Sequence, residues 1–172
     1  MSESYHFDPV DWISAGAVGE PGQRTFYLQA RKDQATVALT VEKSQVQALS
    51  TLAQRLLARV GVTVTPDDLD EHAQRLVEPV DSAWRAASLS LGMDESGERF
   101  VLEAEELTEE EGAEGATARF WVSRPQMVAL AAHAAFAVEA GARERCRFCG
   151  RPKDPVSGHV CPATNGHGPL TV

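Results

Sequence analysis

"WISAGAVGEPGQRTFYLQARKDQATVALTVEKSQVQALS", residues 12–50, changes its periodicity partway along, and that change sets the fold class. "TFYLQA" and "ATVALTV" alternate apolar and polar residues in the two-residue period of half-buried strands. With "WISAGAV" before them they read as three strands. Gly19, Pro21 and Gly22 punctuate the first turn and "RKDQ" makes the second. From Ser44 the period lengthens. Val46, Leu49, Ala53, Leu56 and Val60 recur every three or four residues, the stripe of an amphipathic helix, and Gly61 stops it.

The same order returns later in the chain. "AWRAASLSLGMDESGERFVLEAEEL" reads as two strands around a "DESGER" turn, and "TARFWV" as a third. "SRPQMVALAAHAAFAVEAG" is then a helix with Ser123 as N-cap and Gln126 closing a capping-box-like pair. Aligned by eye, Trp12, Gly19, Phe26, Leu28, Ala30 and Val41 correspond to Trp84, Gly92, Phe100, Leu102, Ala104 and Val122. Gln45 and Leu49 correspond to Gln126 and Leu130. The expectation is an α+β fold of internally duplicated βββα units, at about 11–61 and 83–141. Its sheet is mainly antiparallel, in one layer or two. The two long helices cover the apolar face, about a pseudo-two-fold axis.

Other segments carry weaker patterns. Residues 1–10 are polar and are expected to be loosely held. "TPDDLDEHAQRLV" starts with Thr65, Pro66 and two acids, the signature of a helix N-terminus, and a short helix to Val77 is expected before Pro79. The acidic stretch 108–116 reads as a mobile loop. Residues 1–141 are expected to form the duplicated domain and 142–172 a C-terminal zinc-binding tail.

Bulk properties narrow the function classes. The chain of 172 residues is 43% hydrophobic and 24% charged, ordinary for one globular domain with a small appendage. A net charge of −9 argues against a non-specific nucleic-acid or anionic-lipid binder. No stretch reads as a signal peptide or approaches the length of a membrane span, so a cytoplasmic protein is expected.

All three cysteines fall in "CRFCGRPKDPVSGHVCP", residues 146–162. Cys146 and Cys149 form a CxxC knuckle, and Gly150 allows its tight turn. The turn-rich "GRPKDPVSGHV" then returns the chain to Cys161. Thiolate-rich sets favour zinc over hard cations. The fourth ligand is expected to be His159, with His167 as the alternate. His159 requires an extended, kinked His-x-Cys backbone beside Gly158, while His167 lies nearer the chain terminus. A surface redox CxxC is the competing reading, but such pairs open a helix after a strand. Neither His-x-Glu nor Cys-x-Glu accompanies the knuckle, so a closed structural zinc site is favoured over a catalytic one.

Little else points to chemistry. His72 reads as a solvated helical residue, His133 as a packed one, and "GAVGEPG" as a turn between strands. Arg24 and Gln29 alternate with Phe26 and Leu28, which makes Arg24 a candidate contact for a carboxylate or phosphate. Its plainer reading is an arginine on a solvated strand face. Arg143, Arg145, Arg147, Arg151 and Lys153 form a local basic patch around the knuckle.

"AGAVGEPGQRTFYLQA", "VEKSQVQAL", "FWVSRPQ" and "CRFCGRPKDPVSGHVCPATNGH" resemble an actinobacterial family of conserved proteins of unknown function. The likeness runs over nearly the whole chain. Members of that family tend to occur in a genomic trio with a histidine-phosphatase-like and a phosphoinositide-kinase-like protein. The resemblance therefore implies a partner in phosphoryl-group biology and carries no catalytic residues. Its Cys-rich tail matches Cys146, Cys149, His159 and Cys161.

The expected function is a non-enzymatic, zinc-stabilised adaptor or regulatory protein with a protein partner. The first alternative is a small-molecule or phosphoryl-ligand-binding protein, or an enzyme, with a pocket between the two units near Arg24. The second is nucleic-acid contact through the basic tail.

Overall fold

The structure, a computed structural model, describes residues 1–110, 112–140, 146–151, 153 and 159–164. Seven strands form one sheet: β1 (Tyr5–Phe7), β2 (Trp12–Val18), β3 (Thr25–Lys32), β4 (Ala35–Val41), β5 (Ser82–Met93), β6 (Arg99–Glu106) and β7 (Thr117–Ser123). Helix α1 (Lys43–Arg59) follows β4 and α2 (Arg124–Ala140) follows β7. The sheet order is β1-β7-β6-β5-β4-β3-β2. All neighbours are antiparallel except β1 with β7 and β4 with β5. The strand and helix expectations for 12–61 and 83–140 agree with this order.

The two edges of the sheet are consecutive pieces of chain. Seven strands laid flat would span about 29 Å. Residues 8–11 between β1 and β2 can bridge at most about 18 Å. The sheet must therefore curl until its edges meet. Adjacent amides record the closure: Val10 donates to the Trp121 carbonyl on β7 at 2.9 Å, and Asp11 to the Arg31 carbonyl on β3 at 2.8 Å. Lys32 adds bonds to the carbonyls of Asp8 and Pro9 at 3.2 and 3.0 Å, and Arg99 pairs with the Asp8 carboxylate. The N-terminal residues are thus part of the sheet. Phe7 and Val10 are buried, where a loosely held arm was expected.

Cross-strand pairing gives the two three-strand groups a common layout. β5 runs beside β4 with its first residues and beside β6 with the rest, and β1 and β2 together do the same beside β7 and β3. Phe26 faces Val41 as Phe100 faces Val122, and Leu28 faces Leu39 as Leu102 faces Phe120. The glutamines match as well. Gln45 accepts from its own N-cap amide at 2.8 Å and donates to the carbonyls of Ala86 and Ala87. Gln126 accepts from Ser123 at 3.0 Å and donates to those of Val10 and Asp11.

The tryptophans do not match. Trp12 pairs with Arg31, and the residue in that register on β5 is Ser88, opposite Glu105. Gly16 rather than Gly19 corresponds to Gly92, since they face Tyr27 and Val101. The turn from β2 to β3 is longer than that from β5 to β6, which shifts any alignment anchored on Trp12 and Trp84 out of register.

Helix α1 lies against β5, α2 against β2, and the helices pack on each other, with Ser50 donating to the Ala131 carbonyl at 2.9 Å. Between helices and sheet sits one core, including Ile13, Leu28, Leu39, Leu57, Phe100, Phe120, Met127 and Leu130.

The helix expected over Thr65–Val77 is only a 3-10 turn at Pro66–Asp68. Side chains of the sheet take over the backbone groups that a helix would use. Trp12 Nε1 donates to the Ala73 carbonyl at 2.9 Å and Ser14 Oγ to that of Gln74 at 2.6 Å. Gln29, 2% exposed, accepts from the Val77 amide at 2.8 Å and donates to its carbonyl at 3.2 Å. Asp70 takes the Ala73 amide. Replacing Gln29 with Leu should strand the Val77 pair and cost about 1–3 kcal/mol, the usual penalty for orphaned buried groups. Urea denaturation reads that loss, and proteolysis should open first within residues 70–78.

Candidate metal centre

The tail begins as a tight loop. The Gly150 amide donates to the Cys146 carbonyl at 2.8 Å, and the Cys146 amide to the Arg151 carbonyl at 2.8 Å. Gly150 takes φ 70°, the left-handed region. A Cβ there would meet nothing within 4 Å, so the turn requires glycine for its backbone angle and not for space.

That loop presents both knuckle sulfurs to the returning strand of chain. Cys146 Sγ lies 3.7 Å from Cys161 Sγ, and Cys149 Sγ lies 3.3 Å from His159 Nε2. All four donor atoms fall within 4.8 Å of one another. A disulfide would need about 2.05 Å between sulfurs. Ligands at ~2.3 Å on the corners of a tetrahedron stand about 3.8 Å apart, close to the separation of the Cys146 and Cys161 sulfurs. Cys146 and Cys161 are buried, while Cys149 and His159 are half-buried. The four residues therefore lie close enough to hold a metal ion.

Local electrostatics favour one thiolate in this set. The backbone amides of Cys149 and Phe148 point at the Cys146 sulfur and lower its pKa to about 7, with Cys161 and Cys149 adding to the effect. At Cys149 the Arg151 amide pulls the pKa down. Burial, together with the sulfurs of Cys161 and Cys146, outweighs it and the net shift is upward. Three thiols this close cannot all ionise cheaply without a cation among them.

His167, Arg143 and Arg145 lie outside the described residues. Arg147 and Arg151 are exposed, and Arg147 stacks on the Phe148 ring at 4.9 Å. Phe148 and Val160 are 62% and 66% exposed.

The other histidines stay apart from the tail cluster. His72 is exposed, as expected, though on a turn rather than a helix. His133 is buried on α2, stacked with Phe136 at 5.9 Å, and its Nδ1 has no partner. Burial lowers its pKa and Glu71 opposes the shift. Arg24 and Gln29, taken together in the sequence, serve different places. Gln29 clasps Val77, while Arg24 lines a cleft beside Lys43 and Arg85. Lys43 and Arg85 carried no sequence signal, because the pairing of β3 with β4 brings Lys43 to Arg24 and that of β4 with β5 brings Arg85.

No helix of the described chain is long and apolar enough to cross a membrane. No curated protein and no solved structure matches the sequence. A family model described as "Protein of unknown function (DUF3090)" matches residues 5–161. Its span takes in the whole sheet and all four clustered Cys and His residues and ends before His167. By that match the chain belongs to the DUF3090 family, whose function is unknown.

Proposed function

We propose that the protein is a non-enzymatic adaptor or regulatory protein whose C-terminal tail, 142–172, is fastened by one structural zinc ion on Cys146, Cys149, His159 and Cys161. The observation that carries this is the convergence of four donor atoms within 4.8 Å in a stretch whose described large apolar side chains, Phe148 and Val160, are exposed. Four protein ligands fill a tetrahedral zinc and leave no position for substrate, which is the mark of a structural site. His159, at 3.3 Å from Cys149 Sγ, takes the fourth place ahead of His167. The exposed Phe148, held under Arg147, gives the tail an apolar and cationic tip suited to a protein partner. The likeness of the two βββα groups, at 11–61 and 83–141, supports an internal duplication of the body, 1–141.

Affinity capture with the intact chain tests the adaptor reading against Phe148→Ala, which leaves all four ligands in place. A specific partner retained by the parent and lost from the variant is the expected result. Turnover of a small molecule by the purified protein, with no partner recovered, would overturn it.

A further inference from the structure

At the junction of β4 with α1, a cleft of about 400 Å³ is lined by Gly22, Arg24, Thr25, Thr40, Lys43 and Arg85, with Glu42 at its side. Its volume is in the range of small-molecule sites. Three cations face it against one carboxylate, on a chain whose net charge is −9. Glu42 is already engaged: it pairs with Arg85 and caps the α1 backbone at Gln45. Arg24 and Lys43 have no hydrogen-bond or ion-pair partner among the described residues. The Arg24 Nε is buried with nothing to donate to. A buried donor left unpaired costs free energy that a bound acceptor recovers.

Two further features have the same sign. The cleft opens on the N-terminus of a 17-residue helix with no acid in its first turn. The amides of Lys43 and Ser44 have no acceptor within the helix, and the helix dipole is positive at that end. Thr25 adds a hydroxyl to the lining.

We infer that this cleft binds the phosphoryl group of a small phosphorylated molecule, gripped by Arg24, Arg85 and Lys43. Charge decides between oxyanions. Three cations less Glu42 leave a lining charge of +2. A phosphomonoester brings about −1.5 to −2 at neutral pH and three acceptor oxygens. A monocarboxylate brings half that charge and two oxygens, and a dicarboxylate such as succinate brings −2 but splits it between two planar groups several ångströms apart, so neither places the full charge on one centre within reach of all three cations. Arginine forks suit the tetrahedral group, with lysine as a point charge. A nucleic-acid polymer does not fit, because the acidic remainder of the surface repels its backbone. The cleft is separate from the metal centre and needs no zinc.

The intact protein is titrated calorimetrically with inorganic phosphate and with phenyl phosphate, and with succinate at matched ionic strength. Saturable phosphate and phenyl phosphate binding is expected, with succinate at least ten-fold weaker. Arg24→Gln should weaken phenyl phosphate about ten-fold, the loss of one charge-assisted contact. Lys43→Gln, an exposed change that leaves the core untouched, should weaken it several-fold and serves if the Arg24 variant does not fold. His133→Gln, in a different cavity, should bind as the parent does. Absence of saturable phosphate binding, equal affinity for succinate, or an unchanged affinity in both Arg24→Gln and Lys43→Gln overturns the inference.

Discussion

Cys161→Ser is expected to release the metal and unfix residues 146–164 while the β-sheet core keeps its cooperative unfolding. A serine hydroxyl stays protonated at neutral pH and cannot replace a thiolate on zinc. Loss of the buried Cys161 also removes the partner that stands 3.7 Å from Cys146 Sγ. Among its described residues the tail offers little apolar packing. Its described large apolar side chains, Phe148 and Val160, face solvent. Structural zinc binds zinc-finger peptides with about 10–16 kcal/mol, so on the proposed reading its release removes the tail's main source of order. Metal analysis should fall from about one zinc per chain to near none. Proteolysis should then clip the tail at once in both the variant and the chelator-treated parent. Survival of a protease-resistant tail without metal would mean that packing holds it.

The second large effect belongs to the core. Phe100→Ala should destabilise the protein by about 3–5 kcal/mol, as full truncation of a buried aromatic does. Phe100 is wholly buried, opposite Val122 on β7 and Met93 on β5, within the hydrophobic core. At about 2–4 °C per kcal/mol, the melting temperature should drop on the order of 10 °C. Zinc content should not change. A drop below about 1 kcal/mol would show that neighbouring side chains collapse into the space. The two variants thus separate the elements: one loses metal and keeps its core, the other weakens its core and keeps metal.

Much of this arrangement was legible in the residues. Alternation in "TFYLQA" and "ATVALTV" specified β3 and β4, and the step to a three-to-four residue period specified α1. The glutamines at the two helix starts were recognisable from their capping pattern. Their second role, reaching to Ala86 and to Val10, depends on sheet closure and has no local signal. The same holds for β1. "YHF" is too short and polar to announce a strand, and it becomes one because β7 offers an edge beside it. The Thr65 signature was sound as a helix start, yet Trp12, Ser14 and Gln29 claim the following carbonyls. Local propensity lost there to tertiary hydrogen bonds.

The tail was legible because ligand chemistry is local. A knuckle, a glycine and a returning Cys mark a cluster through spacing alone, and three of its four donor residues needed no structure. Spacing put His159 ahead of His167, and the structure brings His159 to the three cysteines. The cleft around Arg24 was the opposite case. One residue hinted at it, and its partners came from β5 and α1.

X-ray absorption at the zinc edge of the purified protein, recorded for the parent, His159→Ala and His167→Ala, tests the proposed centre most directly. Three sulfurs at about 2.3 Å and one nitrogen at about 2.0–2.1 Å are expected in the parent and in His167→Ala, with the nitrogen lost in His159→Ala. A protein that carries no zinc, or a first shell unchanged by His159→Ala, would contradict it.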